Sequence, residues 1–211
     1  MTDRLSALAF CGAFNPPTCA HLELAALAMH KTGREAVVFV PSKSKYIEKD
    51  QGKDFAFSDE QRLDMLRSCA VSRPWMHVWD GEIRAERQPR TYETLCHLRE
   101  KGIDTALLLG SDKLSELAHL WLYVPEIARE FGIVCLARNE DDCVAIITQD
   151  PFLAALSDFI QIIVTPQQTR NISSSQARAF MRMGGNDARE KLSQILPEEV
   201  FTLLETQDYI S

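Results

Sequence analysis

The residues with the most chemical character gather in one short run, Gly12-Ala13-Phe14-Asn15-Pro16-Pro17-Thr18-Cys19-Ala20-His21. Gly12 lets the backbone pass close to a ligand. Asn15-Pro16-Pro17 is a stiff turn, because two prolines fix φ and offer no N–H. Thr18 suits a helix N-cap, which puts His21 at the third helical position. An imidazole there lies beside the N–H groups of a helix N-terminus, where hydrogen bonds and the helix dipole both favour an anion. The chemistry this suggests is phosphate binding. It is not a Walker P-loop, because GxxxxGK[ST] is absent. Residues 18–21 alone would more often be a capped helix with an incidental histidine. The full run is far more specific.

A second run, Ile172-Ser173-Ser174-Ser175-Gln176-Ala177-Arg178, also opens a helical pattern. Its hydroxyls and backbone N–H groups can hold phosphate oxygens, and Arg178 can fork onto them. Taken alone, it is also a serine-capped surface helix. Other polar signals are shorter. Leu109-Gly110-Ser111-Asp112 closes an apolar run with a carboxylate that can accept hydrogen bonds from a ribose. Thr91-Tyr92-Glu93-Thr94-Leu95 starts a helix, with Thr91 as its cap. Leu120-Trp121 and Trp79 offer aromatic faces. Pro41-Ser42-Lys43-Ser44-Lys45-Tyr46 runs on to Lys49 and Lys53, and Arg138 follows Ala137.

These residues need elements to position them. Strand-like apolar runs cover residues 5–11, 36–40, 76–79, 105–109, 132–136 and 159–164. Helical spacing appears at Leu22, Ala25, Ala26 and Met29, stopped by Gly33, and at Leu63, Leu66 and Ala70 after a cap at Ser58. Further helices are marked by Leu95 and Leu98 before Gly102, by Ala177, Phe180 and Met181 before Gly184-Gly185, and by the stretch from Leu196 to Leu204. Strands alternating with helices predict an α/β fold, a mainly parallel sheet with helices on both faces. We expect one domain over residues 1–211, with a C-terminal helical portion from about 172. Ligands bind such sheets beyond the carboxyl ends of the strands. Chemistry is then expected after Cys11, Val40, Leu109 and Val164, where the polar signals stand.

Composition narrows the partners. The net charge is −7, which argues against a bulk nucleic-acid surface but not against a small anion held by local cations. No apolar run is long enough to span a bilayer. Residues 1–10 read as a first buried strand, not a signal peptide. Cysteines 11, 19, 69, 96, 135 and 143 show no CxxC spacing, so reduced thiols in a cytoplasmic protein without a protein-bound metal are expected.

The first run resembles the (H/T)xGH signature, GxFxPxTxGH, of the nucleotidyltransferase superfamily. Through Gly12, Phe14, Asn15, Pro16, Thr18 and His21 it is most similar to the nicotinate/nicotinamide mononucleotide adenylyltransferases. It departs at Cys19-Ala20, where glycine usually precedes the histidine. The second run resembles that family's ISSTxIR motif, with Ser175 for Thr and Ala177 for Ile. Leu109 to Asp112 resembles its GxD segment, Leu120-Trp121 its LW segment and Thr91 to Leu95 its SYTxxTL segment. The ending from Leu196 to Ile210 looks like its terminal helix, so the resemblance runs from about residue 6 to 210.

The resemblance implies a Rossmann-like doubly wound fold and a reaction of NAD biosynthesis. ATP and a pyridine mononucleotide give the dinucleotide and pyrophosphate. It implies His21, Thr18 and Arg178 as catalytic residues. It implies Gly12, Ala13, Phe14, Gly110, Asp112, Ile172, Ser173 and Ser174, with His21 and Arg178, around ATP. Asn15, Lys45, Thr91, Tyr92, Thr94, Trp121 and Arg138 would meet the pyridine nucleotide. One lysine of the loop after Pro41 would meet phosphate, Lys45 or Lys43 before Lys49 or Lys53. An indole over a pyridinium gains roughly 0.5–2 kcal/mol. Mg2+ would be held mainly by substrate phosphates. The expected partners are these nucleotides, with no nucleic acid and no membrane. Assembly as a homo-oligomer stays open, as does nicotinate against nicotinamide. The alternatives are a phosphopantetheine adenylyltransferase, a cytidylyltransferase or an inactive nucleotide-binding protein.

Overall fold

The structure is a computed structural model and describes residues 4–45, 57–137, 142–169 and 171–210. Its six strands are β1 (Leu5–Gly12), β2 (Ala36–Pro41), β3 (Met76–Val78), β4 (Ile103–Gly110), β5 (Ile133–Ala137) and β6 (Ile160–Val164). They coincide with the six apolar runs to within two residues at either end. One sheet holds them in the order β3-β2-β1-β4-β5-β6. This is the order of a Rossmann-like, doubly wound α/β fold, whose switch point lies at the carboxyl ends of β1 and β4.

The pairing is parallel where its register is defined. Leu5 to Phe10 of β1 run beside Ile103 to Leu108 of β4. Leu107 to Gly110 run beside Ile133 to Leu136, and Ile133 to Ala137 beside Ile160 to Val164. Strands covered on both faces need continuous apolar sequence, not alternation. All six residues of β2 are buried, as are Thr105 to Leu109 of β4 and Ile133 to Leu136 of β5.

Helices connect the strands. Cys19–Thr32 ends before Gly33, whose φ of +68° stops it. Asp59–Val71 begins at a full capping box. Ser58 Oγ accepts from Gln61 N, and Gln61 Oε1 accepts from Ser58 N. Thr91–Glu100 follows β3 and the short helix Gly81–Arg84. Leu114–His119 and Val124–Phe131 precede β5, and Cys143–Gln149 and Pro151–Ala154 precede β6. Ser174–Met183, Gly185–Ile195 and Glu198–Thr206 complete the chain. Among the described residues no helix is long and apolar enough to cross a membrane.

Contacts divide the chain into two compact units. The first takes Met1–Cys11, Leu24–Val38 and Pro89–Arg170. In it, Arg34 Nη1 donates to Asp104 O at 2.9 Å, and Ser6 and Glu35 exchange two hydrogen bonds. The second takes Gly12–Glu23, Phe39–Gln88 and Asn171–Ser211, and so contains both serine- and histidine-bearing motifs.

The last helix of the second unit is tied down by charge. Arg73 Nη1 donates to Glu199 Oε1 at 2.7 Å, and Ser72 Oγ donates to the same oxygen at 2.9 Å. Tyr209 stands against Phe57 and accepts from Gln61 Nε2. Burial alone would raise the Glu199 pKa. The hydrogen bonds from Arg73, its own backbone and Ser72 outweigh it, and the net shift is downward from 4.5. A carboxyl whose folded pKa is depressed adds stability above its unfolded pKa and loses it as pH falls through the folded value. Glu199→Gln is therefore expected to lower Tm at neutral pH, with the gap to the parent closing well below pH 4.5. Melting curves at both pH values check this. A gap that persists in acid contradicts the pairing as its source.

Candidate active site

The first motif begins where β1 ends. Gly12 O accepts from Ser42 N at 3.0 Å, joining the ends of β1 and β2. A Cβ on Gly12 would come within 3.2 Å of the Phe14 ring, so this position admits a side chain only if that ring moves. Phe14 has a φ of +46°, a region that costs a non-glycine residue about 1–3 kcal/mol. Its packing holds it there. The ring is buried, 5.4 Å from Phe39 and edge-on to His21 at 5.3 Å. Asn15–Pro16 is a cis peptide bond, and Asn15 is buried.

Thr18 stands just before the helix Cys19–Thr32 and is fully buried. Its carbonyl accepts from His21 N at 3.0 Å, as an N-cap carbonyl does. His21 returns the contact. Thr18 N donates to His21 Nδ1 at 3.1 Å, and Thr18 Oγ1 lies 2.7 Å from the same nitrogen. The imidazole thus takes the place that glutamate has in a capping box. Because Nδ1 accepts a backbone N–H, the neutral ring carries its proton on Nε2. The half-buried His21 is held as a hydrogen-bond donor through Nε2. Ala20 is buried in the first helical turn, where alanine costs less than glycine. That is a local reason for its departure from the usual motif.

The second motif is fastened to the first. Ser174 Oγ donates to Pro16 O at 2.8 Å, and Arg178 Nη1 donates to Asn15 O at 2.9 Å. Arg178 Nη2 also reaches Ser175 Oγ at 3.2 Å. Ser173 is the N-cap of Ser174–Met183, its Oγ accepting from Gln176 N. Within one compact unit, two runs about 150 residues apart in sequence share a proline turn and two helix N-termini.

The loop after β2 is held by a residue that sequence reasoning did not single out. Arg62 has no exposed side-chain surface. It donates to Ala13 O at 2.5 Å, Ser42 O at 2.6 Å, Ser44 Oγ at 3.4 Å and Asp59 Oδ1 at 2.6 Å. Burial lowers the Arg62 pKa, and Asp59 partly offsets that. Burial would raise Asp59, but hydrogen bonds from Ser44 and Arg62 carry it below its ordinary value. The signal was in the spacing. Arg62, Met65, Leu66 and Cys69 form the buried stripe of their helix, and a charge on such a stripe must have partners.

The loop lysines part ways. Lys43 Nζ donates to Ile83 O at 2.7 Å and also to Ala85 O, and its backbone N donates to Gln88 Oε1. Its amine caps the carbonyl end of Gly81–Arg84, so two carbonyls already hold the ammonium of this phosphate candidate. Lys45 is exposed. Tyr46, Lys49, Lys53 and Arg138 lie outside the described residues. Trp79 follows β3, with its ring over Gly81.

The other segments belong to the first unit. β4 ends at Gly110, followed by the turn Ser111–Lys113. Ser111 is buried and Asp112 exposed, while Lys113 Nζ pairs with Glu116 at 2.7 Å. Thr91 is the first residue of Thr91–Glu100, not its cap. Arg90 holds the cap position, and its N–H goes to Glu93 Oε2 at 2.7 Å. The N-cap shifts by one because Glu93, not a threonine hydroxyl, satisfies the end. Thr94 is buried. Tyr92 OH donates to Glu130 Oε1 at 2.8 Å, and that bond pushes the phenol pKa up to about 12. Its ring stacks on Tyr123 at 5.4 Å. Trp121 is half-buried between the exposed Leu120 and Leu122. In the second unit, Ile172 precedes the Ser173 cap and is half-buried.

Comparison with known proteins places the chain in a family. Residues 9–180 match the cytidylyltransferase-like family. A nicotinamide/nicotinic acid mononucleotide adenylyltransferase of Arabidopsis thaliana is 27% identical over 189 residues, 82% of this chain and 78% of the relative. A probable nicotinate-nucleotide adenylyltransferase of Salinibacter ruber is 28% identical over 202 residues, 94% of each. The fold matches a Plasmodium falciparum nicotinic acid mononucleotide adenylyltransferase, solved with NaAD, at a TM-score of 0.72. That match has 16% identity and covers 97% of both chains.

Proposed function

Since the chain belongs to the cytidylyltransferase-like family, we propose that it is the adenylyltransferase that joins ATP to nicotinate or nicotinamide mononucleotide. The products are the dinucleotide and pyrophosphate, a step of NAD biosynthesis. One observation carries this reading beyond kinship. Ser174 and Arg178 are bonded to the carbonyls of Pro16 and Asn15, so two motifs suited to phosphate form one structure.

The mononucleotide's 5′-phosphate oxygen attacks the α-phosphorus of ATP in line. A bond forms there as the bond to the β-phosphate oxygen breaks, and pyrophosphate carries away the electron pair. The nucleophile is already largely anionic at pH 7, since a phosphate monoester has its second pKa near ~6. No strong general base is needed. The protein's work is orientation and charge neutralisation.

His21 donates from Nε2 to an ATP phosphate oxygen, and Thr18 holds the ring for it. Arg178, and Ser174 through its backbone N–H at the helix start, sit on the β and γ phosphates and meet the charge that pyrophosphate gains, since the Ser174 hydroxyl is engaged by Pro16 O. Gly12, Ala13, Phe14, Ile172 and Ser173 shape the phosphate cradle with their backbone. Gly110 and Asp112 take the adenosine side. Asn15, Lys45, Thr91, Tyr92, Thr94, Trp121 and Arg138 take the pyridine nucleotide. Tyr92 acts there as a ring or through its backbone, because its hydroxyl is engaged by Glu130. Magnesium enters with ATP as part of the substrate. Among the described residues no group of three or more His, Cys, Asp or Glu is arranged to hold a metal.

A panel of acceptors tests the assignment. With ATP, either pyridine mononucleotide should release pyrophosphate, while phosphopantetheine should not. CTP should not replace ATP. Preference for phosphopantetheine or CTP would move the chain elsewhere in its superfamily. Comparing kcat/KM for the two mononucleotides then ranks nicotinate against nicotinamide.

A further inference from the structure

Arg62 has no part in the reaction as written, yet its surroundings are unusual. An arginine buried to this degree is tolerated only when its N–H groups find partners. Asp59 alone could neutralise it. The other three partners, Ala13 O, Ser42 O and Ser44 Oγ, all stand on the loops that leave β1 and β2. Those loops lie at carboxyl ends of strands, where this fold binds ligands. A guanidinium is planar and presents its donors in a rigid fork, so it fixes the spacing of the carbonyls it holds.

The contacts continue from there toward the chemistry. Ala13 precedes Phe14, and holding the Ala13 carbonyl fixes the peptide plane that leads into Phe14's left-handed backbone. Phe14's ring lies against Gly12 and meets His21 edge-on at 5.3 Å. His21 is held on its other side by Thr18. Across the fork, Ser42 is the residue whose N–H bonds Gly12 O. Arg62 thus grips the histidine loop both at Ala13 and, through Ser42, at Gly12.

We propose that Arg62 is a positioning residue for adenylyl transfer: it clamps the loops after β1 and β2 in one register and thereby sets the orientation of the His21 imidazole. This rests on the reading of His21 as the phosphate donor. Arg62 touches no substrate. Its effect falls on kcat more than on the KM of either nucleotide, because it changes the alignment of a donor and not the number of contacts.

Arg62→Lys separates this role from simple charge burial. Lysine keeps the positive charge beside Asp59 but has one nitrogen, which cannot bridge Ala13 and Ser42 as a fork does. We expect kcat to fall on the order of 10- to 100-fold, the range a small misplacement of a reacting group costs. Both KM values should change less, by under about threefold. Nitrogen NMR of the imidazoles supplies a readout that mere destabilisation does not move. The His21 Nδ1 and Nε2 resonances should shift, while those of His30, His97 and His119 stay. If Arg62→Lys does not fold, Asp59→Asn loosens the same guanidinium by removing its counter-charge, while the asparagine oxygen can still accept from it. It should shift the His21 resonances in the same direction by less.

A folded Arg62→Lys with near-parental kcat overturns the proposal. So does a fall in kcat with unmoved His21 resonances, or an Asp59→Asn that leaves them unmoved where Arg62→Lys cannot be made. The NMR result stands even if the parent protein fails to make a dinucleotide, so failure of the functional reading and failure of this one are distinguishable.

Discussion

His21→Ala lowers turnover by on the order of 100-fold or more, the usual cost of removing one preorganised donor, and leaves the fold in place. The reason lies in how the ring is held. Thr18 N–H occupies Nδ1, so the proton faces away on Nε2. A donor already oriented need not reorganise when charge builds on the phosphates. The fold survives because the rest of the helix N-terminus is unchanged and His21 is only half-buried. Thr18 does lose the ring nitrogen that accepts from its backbone, which costs about 0.5–2 kcal/mol, as loss of a cap does. Steady-state kinetics and a melting curve on the same sample check both halves. Near-normal turnover in a folded variant removes His21 from the mechanism.

Arg178→Ala weakens the use of ATP far more than the use of the acceptor. Its guanidinium is anchored at Asn15 O, in the turn of the first motif. In the proposed role it neutralises from there the phosphates that leave, and loss of that charge is expected to cost on the order of 100-fold in kcat/KM for ATP. The acceptor keeps its own contacts. Arg178→Lys restores the charge but not the fork, so it recovers only part of the loss. Equal losses for ATP and acceptor would mean that Arg178 merely braces the turn at Asn15.

Much of this was legible in the residue order. Six apolar runs gave six strands because a doubly covered parallel sheet demands continuous apolar sequence. Ser58 announced a helix start, and the structure completes it as a capping box with Gln61. The two motifs could be read as phosphate sites, since serine, threonine and histidine at helix starts have a local meaning. Their attachment through Pro16 and Asn15 could not, because backbone carbonyls carry no mark in a sequence.

Other features were missed for identifiable reasons. Val124, Ile127, Ala128 and Phe131 do form a buried helical stripe, but the helix is only 8 residues long and carries a proline in its first turn. Gly185–Ile195 starts directly at the glycine pair that ends the helix before it, so the pair read as a stop alone. Lys43 was one of four loop lysines proposed for phosphate because a loop lysine advertises charge. Its partners are the carbonyls of Ile83 and Ala85, some 40 residues away, and no local pattern announces them. Arg62 was hidden by the opposite bias. It sits among apolar residues, and a stripe is read by its apolar members.

The central claim is that this chain moves an adenylyl group from ATP onto a pyridine mononucleotide. Labelling ATP at its α-phosphate tests it directly. With magnesium and nicotinate or nicotinamide mononucleotide, the label should enter the dinucleotide, one for each pyrophosphate released, and neither product should form without the mononucleotide. ATP that binds but keeps its label with both acceptors, or cleavage at any bond other than that between the α- and β-phosphates, contradicts it.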